Sequence, residues 1–450
     1  APTGTASLNI RGVPQHSLFI LPVNHKFEKL PDDSKKLREL EALVEGVWII
    51  VLDERSMTGA AMLHRIDERL RQATGQSNLP FGGISVVIVG DDGQLQPIGD
   101  RPMWGDNEYK KFKSDQDPAL HGHATYRKFK DVVALTEPFR QDPNDPFYQL
   151  LLESREGRAK DYENKLHLLE TRKWSAVSKE EQKLFEEESL WLCPFRDDVW
   201  EHNVRKLDEL GNPIVKLVAD HNCATAKAAS GDEVGLKKTV YLAKGSRVML
   251  TMNVWTKAGL VNGAMGEVVG FLSREGPGPG AGSLPLAVHV RFPQYTGPRF
   301  PGFPDTPEWR HVIPITAFTR QFSKSGTPCS RTQMPLALAW AVTIHKSQGM
   351  TIGPGQIWRR MMLELGNREL STGLTFVALS RAKDLGCMLF PPGKFPTSER
   401  LQMCFTETMK LRQAEDENLD HHAEQTIKRN KKLLRQGLRH FLHPSAPQQE

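Results

Sequence analysis

Residues 47 to 54 read VWIIVLDE, an unbroken apolar and β-branched run that ends in two adjacent carboxylates. Continuous apolarity, rather than alternation, marks a strand buried on both faces, so Val47–Leu52 is expected to form a strand of a parallel sheet. A second run of this kind, ISVVIV at 84–89, ends at Gly90 and Asp91. Between the two, Met57 to Gln72 places Met62, Leu63, Ile66 and Leu70 on one helical face. Strands alternating with helices predict an α/β sheet, whose ligands bind beyond the carboxyl ends of the strands. Both acidic ends are therefore expected on one edge.

Outward from this unit, the 450 residues leave room for roughly three domains. Ser154 to Glu188 is helical and highly charged, and Trp191 to Leu210 reads as a strand running into a helix, the start of a second α/β unit. Residues 266–335 change character: Gly and Pro crowd in GPGPGAGS at 276–283, and short β-like runs appear at Leu286–Phe292 and His311–Ile315, predicting a small all-β insertion. Strand and helix patterns resume at Pro335. The chain ends in a charged helical tail carrying Lys428, Arg429, Lys431, Lys432, Arg435 and Arg439, read as a solvated helix, with a DNA or partner contact as the alternative.

With 39% apolar residues the chain can build real cores, and a net charge of +5 permits a polyanionic partner without requiring one. The five cysteines show no CxxC pair, which argues against a zinc knuckle or a disulfide framework and for a reducing compartment. No apolar run approaches the ~18 residues that span a bilayer, and the N-terminus lacks a basic and hydrophobic signal pattern. No membrane partner is expected.

An Asp-Glu pair at a strand end is the arrangement in which Asp53 holds a magnesium ion and Glu54 polarises an attacking water. The alternative is a helix start, where acids suit the dipole. Gly90 to Pro97 (GDDGQLQP) turns tightly after the second strand and presents Gln94 to sense a γ-phosphate or to orient the water, although Gly and Asp are also ordinary turn residues. LTEPFRQ, at 135–141, places Arg140 after an apolar strand, and Arg381 stands in TFVALSRAK at 375–383, beside an apolar strand-like segment. A guanidinium facing a transferred phosphoryl group stabilises its charge, whereas most arginines make surface ion pairs. VTIHKSQGMT at 342–351 sets a polar run, His345 to Gly349, after a strand-like segment. Core packing does not call for such a run.

Taken in order, APTGTA (Ala1–Ala6), QHSLF (Gln15–Phe19), VLDERSM (Val51–Met57), GDDGQLQPI, LTEPFRQ, GLVNGAMGEV (Gly259–Val268), LALAWAVTIHKSQGMT (Leu336–Thr351) and TFVALSRAK resemble the motifs of the PIF-family DNA helicases, relatives of RecD in superfamily 1, subgroup B. The resemblance runs from Ala1 to about Phe390. It implies tandem RecA-like P-loop NTPase domains that clamp ATP and Mg2+ and move 5′ to 3′ on single-stranded DNA, unwinding forked duplex as a monomer, with the nucleus as the expected compartment. The implied layout is 1–140 for the first domain, with a small insertion at about 18–40; 141–267 and 335–400 for the second; an SH3-like β insertion at 268–334; and the tail at 401–450. Carried over by position, Asp53 binds Mg2+, and Glu54, Gln94, Gly349, Arg140 and Arg381 surround the nucleotide. Pro2, Thr3, Gly4, His16, His345, Lys346 and Ser347 face DNA, and Asn262–Gly263 turns into the insertion. Lys346, His16 and His345, with nearby aromatics, suit a single strand's phosphates and bases.

The chain departs from the family pattern in two places: Arg55 stands where a small aliphatic residue is usual, and the sensor loop reads DDGQLQP where an aromatic and Pro-Pro are usual. No GxxxxGK[ST] loop occurs in the 450 residues. In the family it lies just before APTGTA, so these residues alone are expected to hydrolyse ATP poorly. Two other readings stay open: a non-catalytic nucleic-acid-binding remnant of a helicase, and an accessory subunit of a recombination nuclease.

Overall fold

The computed structural model describes residues 1–22, 27–156, 159–273, 284–403 and 406–442, the side chains at 5, 8–9, 159–164, 232–233 and 432–442 excepted. The GPGPGAGS run at 276–283 and the side chains of Lys432, Arg435 and Arg439 thus lie outside the described residues.

In the first α/β unit, Ile49–Leu52 runs parallel to Ser85–Ile88 with Leu52 opposite Ile88. The pairing continues one step further, Val89 N donating to Leu52 O (2.8 Å) and Arg55 N to Val89 O (2.9 Å), which sets the acidic pair beside the turn that begins at Gly90. Helix Ala60–Thr74 covers one face with Leu63, Ile66 and Leu70. Its N-cap is Gly59, which has no side chain to offer, and the Asp100 carboxylate accepts instead from Ala61 N (3.2 Å) and Met62 N (3.1 Å). Helix Pro118–Tyr126 crosses it at Gly122, where a Cβ would lie 1.7 Å from Ala60 O, so only glycine permits the approach.

The expectation of strands buried on both faces needs correction. Trp48, Ile49, Val51 and Val87 are 88, 56, 50 and 42% exposed, because among the described residues helices pack on one face only. An open apolar face of this kind promotes association. Val51→Thr with Val87→Thr, which keeps β-branched side chains, is expected to lower aggregation and dye binding to exposed apolar surface without moving the melting temperature.

The second α/β unit is a parallel sheet in the order Ala341–Thr343, Leu190–Cys193, Met361–Leu363, Met388–Leu389. Between its segments stands a five-stranded antiparallel sheet, Val312–Ile315, Ala287–Arg291, Met265–Leu272, Arg247–Leu250, Leu336–Leu338. It recruits a strand on either side of the 268–334 range. A separate hairpin, Phe318–Lys324 with Thr327–Gln333, pairs with Asp220–His221 around the fully buried Arg331.

Two local expectations fail. TFVALSRAK, read as strand-like, opens inside the buried helix Leu374–Leu379, which starts at Gly373 (φ 87°) and is capped by Glu369, accepting from Thr375 N (3.0 Å) and Oγ1 (2.6 Å). LTEPFRQ forms no strand; Pro138 lacks an amide for a ladder, and the segment docks through side chains instead. The tail is not free-standing either: helix Glu407–Leu442 buries Met409, Arg412, Glu415 and Ala423, and Arg429 pairs with Asp131 at 2.8 Å.

Candidate active site

Glu54 is the centre of the site. Its backbone is left-handed (φ 55°, ψ 55°), which costs a non-glycine residue about 1–2 kcal/mol and persists only where neighbours fix it. Arg55 N and Met57 N fix it from behind through Val89 O and Glu54 O. In front, Gln348 Nε2 reaches Glu54 Oε2 and Ser56 Oγ, both at 3.3 Å. Gly349 follows with φ 81°; its Cβ position lies 3.8 Å from Glu54 Oε1 and 3.7 Å from Ala6 Cβ. The HKSQG loop of the second unit therefore closes over the acidic edge of the first.

The two arginines arrive from opposite sides of the same boundary. Arg140 Nη1 donates to Ser380 O and Gln141 Nε2 to Ala382 O, each at 2.9 Å, which brings the last segment of the first unit against the end of helix Leu374–Leu379. Arg381, 1% exposed, donates to Val377 O (2.8 Å), Met350 O (3.2 Å) and Ser380 Oγ (2.9 Å). Burial first and Arg140 second push its guanidinium down to about 9, while Glu54 pulls the other way. Burial also raises the Glu54 carboxyl, aided by Asp53 and opposed by Gln348, Arg381 and Arg140. The groups named from sequence thus share one electrostatic environment.

Gln94 lies at the same boundary: a Cβ on Gly373 would come within 3.2 Å of Gln94 O. Its side-chain Oε1 is buried without a hydrogen-bond partner, as is that of Gln348. An orphaned acceptor on Gln348, whose amide nitrogen bonds Glu54, suits a bound water or ligand. Asp53 is half-buried and its carboxylate makes no hydrogen bond or ion pair among the described residues. Mg2+ is commonly held by one or two carboxylates together with phosphates and waters, so Asp53 and Glu54 fit it. No cluster of three ligating side chains occurs among the described residues.

Of the DNA-facing expectations, Gly4 packs on the second unit, its Cβ position 2.9 Å from Asn262 O and from Asn253 Oδ1. Pro2 and Thr3 are half-buried, Thr3 Oγ1 accepting from Ala6 N (3.2 Å). The Pro2–Gly4 segment and the Asn262–Gly263 turn thus form one joint. His16 and His345 are half-buried and kept neutral by burial, with Arg65 and Arg196 adding to the effect; Lys346 is exposed. Ser347 is a correction: it is fully buried and its hydroxyl donates to Ile344 O (2.8 Å), closing the turn instead of facing a strand.

Sequence reasoning missed three features. Gln348 stood in the quoted polar run, but its reach to Glu54 depends on two units meeting. Arg55 and Asp92, one in each departure from the family pattern, are an ion pair. Asn203, within a charged helix, is buried and bonds the strand that leads into HKSQG.

Its neighbour His202 stacks on Trp191 with centroids 4.0 Å apart, and burial, then Arg205 and Lys206, push it down to about 3. The unfolded chain, with an ordinary His value of about 6.5, takes up the proton first, so stability falls as pH drops below about 6.5, by about 1.4 kcal/mol per unit from this group. Denaturation at pH 5 against pH 7 is expected to show a loss of about 2 kcal/mol that His202→Gln removes.

The family model for PIF1-like helicase matches residues 1–165. Human ATP-dependent DNA helicase PIF1 is 32% identical over 396 residues, 86% of this chain and 52% of the human protein. RRM3 of Saccharomyces cerevisiae, also an ATP-dependent DNA helicase, is 24% identical over 471 residues, 91% and 61% of the two chains. The chain spans about half the length of the curated PIF1 relatives it matches. Among solved structures, two coordinating Pif1 helicases at forked double-stranded DNA give a TM-score of 0.68 at 23% identity over 94% of this chain and 86% of that one. Pif1 of Candida albicans gives 0.66 at 23% identity over 94% and 87%. These likenesses establish the fold as tandem RecA-like domains.

Proposed function

We propose that this chain, a relative of the PIF1-like helicases, is the hydrolysis and strand-tracking core of an ATP-dependent helicase that moves 5′ to 3′ on single-stranded DNA and opens forked duplex. The observation that carries this reading is the convergence on Glu54 of Arg140 from one unit and of Gln348 and Arg381 from the other. When bound, ATP would supply the phosphoryl group and Mg2+ would neutralise part of its charge. Asp53 would hold the ion. Glu54, its carboxyl raised by burial, orients and polarises the attacking water, with Gln94 and Gln348 offering their orphaned acceptors. Arg140 and Arg381 stabilise charge that develops on the transferred group.

Because these residues come from both units, a change in the nucleotide alters how the units meet. Gly349 at Glu54 and the Pro2–Gly4 joint with Asn262 pass that change to His345 and Lys346, the groups proposed to face the strand. The activity serves replication, repair, recombination or telomere maintenance in a DNA-containing compartment, the nucleus foremost, with the protein acting as a monomer. Localisation of a fluorescently tagged chain tests the compartment.

A polypeptide of these 450 residues is expected to bind a fluorescent oligothymidylate in an anisotropy titration, with Lys346→Ala lowering affinity and reducing the salt slope by about 1. It holds no phosphate loop and is expected to turn over ATP at background. A chimera carrying a GxxxxGK[ST] strand–loop–helix before Ala1 is expected to hydrolyse ATP only when single-stranded DNA is present. Turnover by the 450 residues alone that matches the chimera would sink the requirement for the loop. A chimera that binds DNA without DNA-stimulated turnover would sink the motor and leave the non-catalytic binder.

A further inference from the structure

The two departures from the family pattern meet in one cluster behind Glu54. Arg55 Nε donates to Asp92 Oδ1 at 3.1 Å, its Nη2 contacts Asp92 Oδ2, and the same nitrogen reaches the Tyr126 hydroxyl at 3.1 Å. Tyr126 then donates to Glu415 Oε1 (2.7 Å), and Arg127 Nη1 to Glu415 Oε2 (3.0 Å). One residue on, Asp416 pairs with Arg155 Nη1 (3.3 Å), whose Nε pairs with Asp91 Oδ1 (2.8 Å). Arg412, fully buried, donates to Arg155 O. Arginines 55, 127, 155 and 412 thus face carboxylates 91, 92, 415 and 416, balanced in charge and drawn from both α/β units and the C-terminal helix.

The cluster grips the two strand ends that carry the hydrolytic residues. Arg55 follows Glu54 directly, and the left-handed backbone at Glu54 needs its neighbours fixed. Gly90 presses on the same point, its Cβ position 2.5 Å from Arg55 N. Asp91 and Asp92 precede Gln94 in the sensor loop. Burial works to lower Arg55, but Asp92 and Tyr126 outweigh it and hold the guanidinium charged. Burial raises the Tyr126 phenol, which stays neutral and donates. The Arg55 guanidinium is held from two sides, by Asp92 and by the Tyr126 hydroxyl, which limits its freedom to turn.

We propose that Arg55 and Asp92, backed by Tyr126 and by Glu415 of the C-terminal helix, are positioning residues for Glu54, so that this helix is a working part of the hydrolysis site. The proposal rests on the function proposed above for Glu54, and its test separates the two.

In the 450-residue polypeptide, hydrogen exchange is followed by mass spectrometry in peptides covering 50–57 and 88–96, with 188–194 as the internal reference. Arg55→Met and the isosteric Glu415→Gln are expected to speed exchange at 53–57 by about tenfold more than in the reference peptide, Arg55→Met also lowering the melting temperature because Asp92 is left buried without its partner, and Arg55→Lys is expected to restore most of the protection. In the chimera with a phosphate loop, Arg55→Met and Glu415→Gln are expected to lower kcat by about 10- to 100-fold with KM for ATP nearly constant, as a misplaced catalytic group requires. Unchanged exchange at 53–57 overturns the proposal, as does faster exchange spread evenly over the chain, which would mean the cluster only cements the fold. If the chimera has no turnover, the reading of Glu54 fails, and the exchange data still decide whether the cluster positions it.

Discussion

Arg381→Ala is expected to reduce DNA-stimulated ATP turnover of the loop-bearing chimera by about 10³-fold, the lower end of what an arginine facing a transferred phosphoryl group contributes. Two effects compete in such a variant. One is loss of positive charge at the nucleotide; the other is loss of structure, since Arg381 bonds Val377, Met350 and Ser380 from a fully buried position. Arg140→Ala separates them. That guanidinium sits across the boundary, more exposed, and its described hydrogen bond goes to Ser380 O alone, so its removal costs little stability. Comparable losses from both variants, with oligonucleotide binding intact, assign the effect to charge. A loss confined to Arg381→Ala, accompanied by a lower melting temperature, assigns it to packing and sinks the catalytic role. Arg381→Lys is expected not to rescue, because one ammonium cannot reach three acceptors arranged for a planar fork.

The acidic edge was legible because every signal for it is local. Apolar runs at 47–52 and 84–89, the carboxylates that end them and the glycine turn at 90 all lie within a few residues, and the parallel pairing follows from their type. Arg140 was found without its context, since the strand expected before it is absent and its position comes from a contact with Ser380, 240 residues away. The helix Leu374–Leu379 was hidden by Phe376 and Val377, which favour strands; its start is imposed by Glu369, itself held by Arg400 at 3.1 Å. Arg55 and Asp92 each looked like a defect. Their pairing spans 37 residues, and no window on the sequence contains both with the helix that secures them. Ser347 misled because a polar residue in a functional run is assumed to face outward, whereas a tight turn needs a buried acceptor or donor of its own.

The same limit applies to Asn203, whose replacement by Leu is expected to destabilise the second unit by about 4 kcal/mol. Ala341–Thr343 is the edge strand of the parallel sheet: on its inner side Trp191 N donates to Trp340 O at 3.0 Å, and on its outer side no further strand follows among the described residues. Asn203 stands in for that strand. Its Oδ1 accepts from Trp340 N (2.8 Å) and Ala341 N (2.9 Å), and its Nδ2 donates to Ala341 O (3.0 Å). Leu has similar volume but leaves three buried backbone groups unpaired, each worth about 1–3 kcal/mol. Asn203→Ala, which leaves space for water, is expected to cost less than Leu despite removing more atoms, an order opposite to that of an apolar core site. Urea denaturation followed by Trp191 fluorescence measures both, and a Leu variant as stable as the parent would refute the strand-substitute role. Two residues beyond the strand lies His345, so the bonds of one buried amide set how firmly the HKSQG loop is held against Glu54.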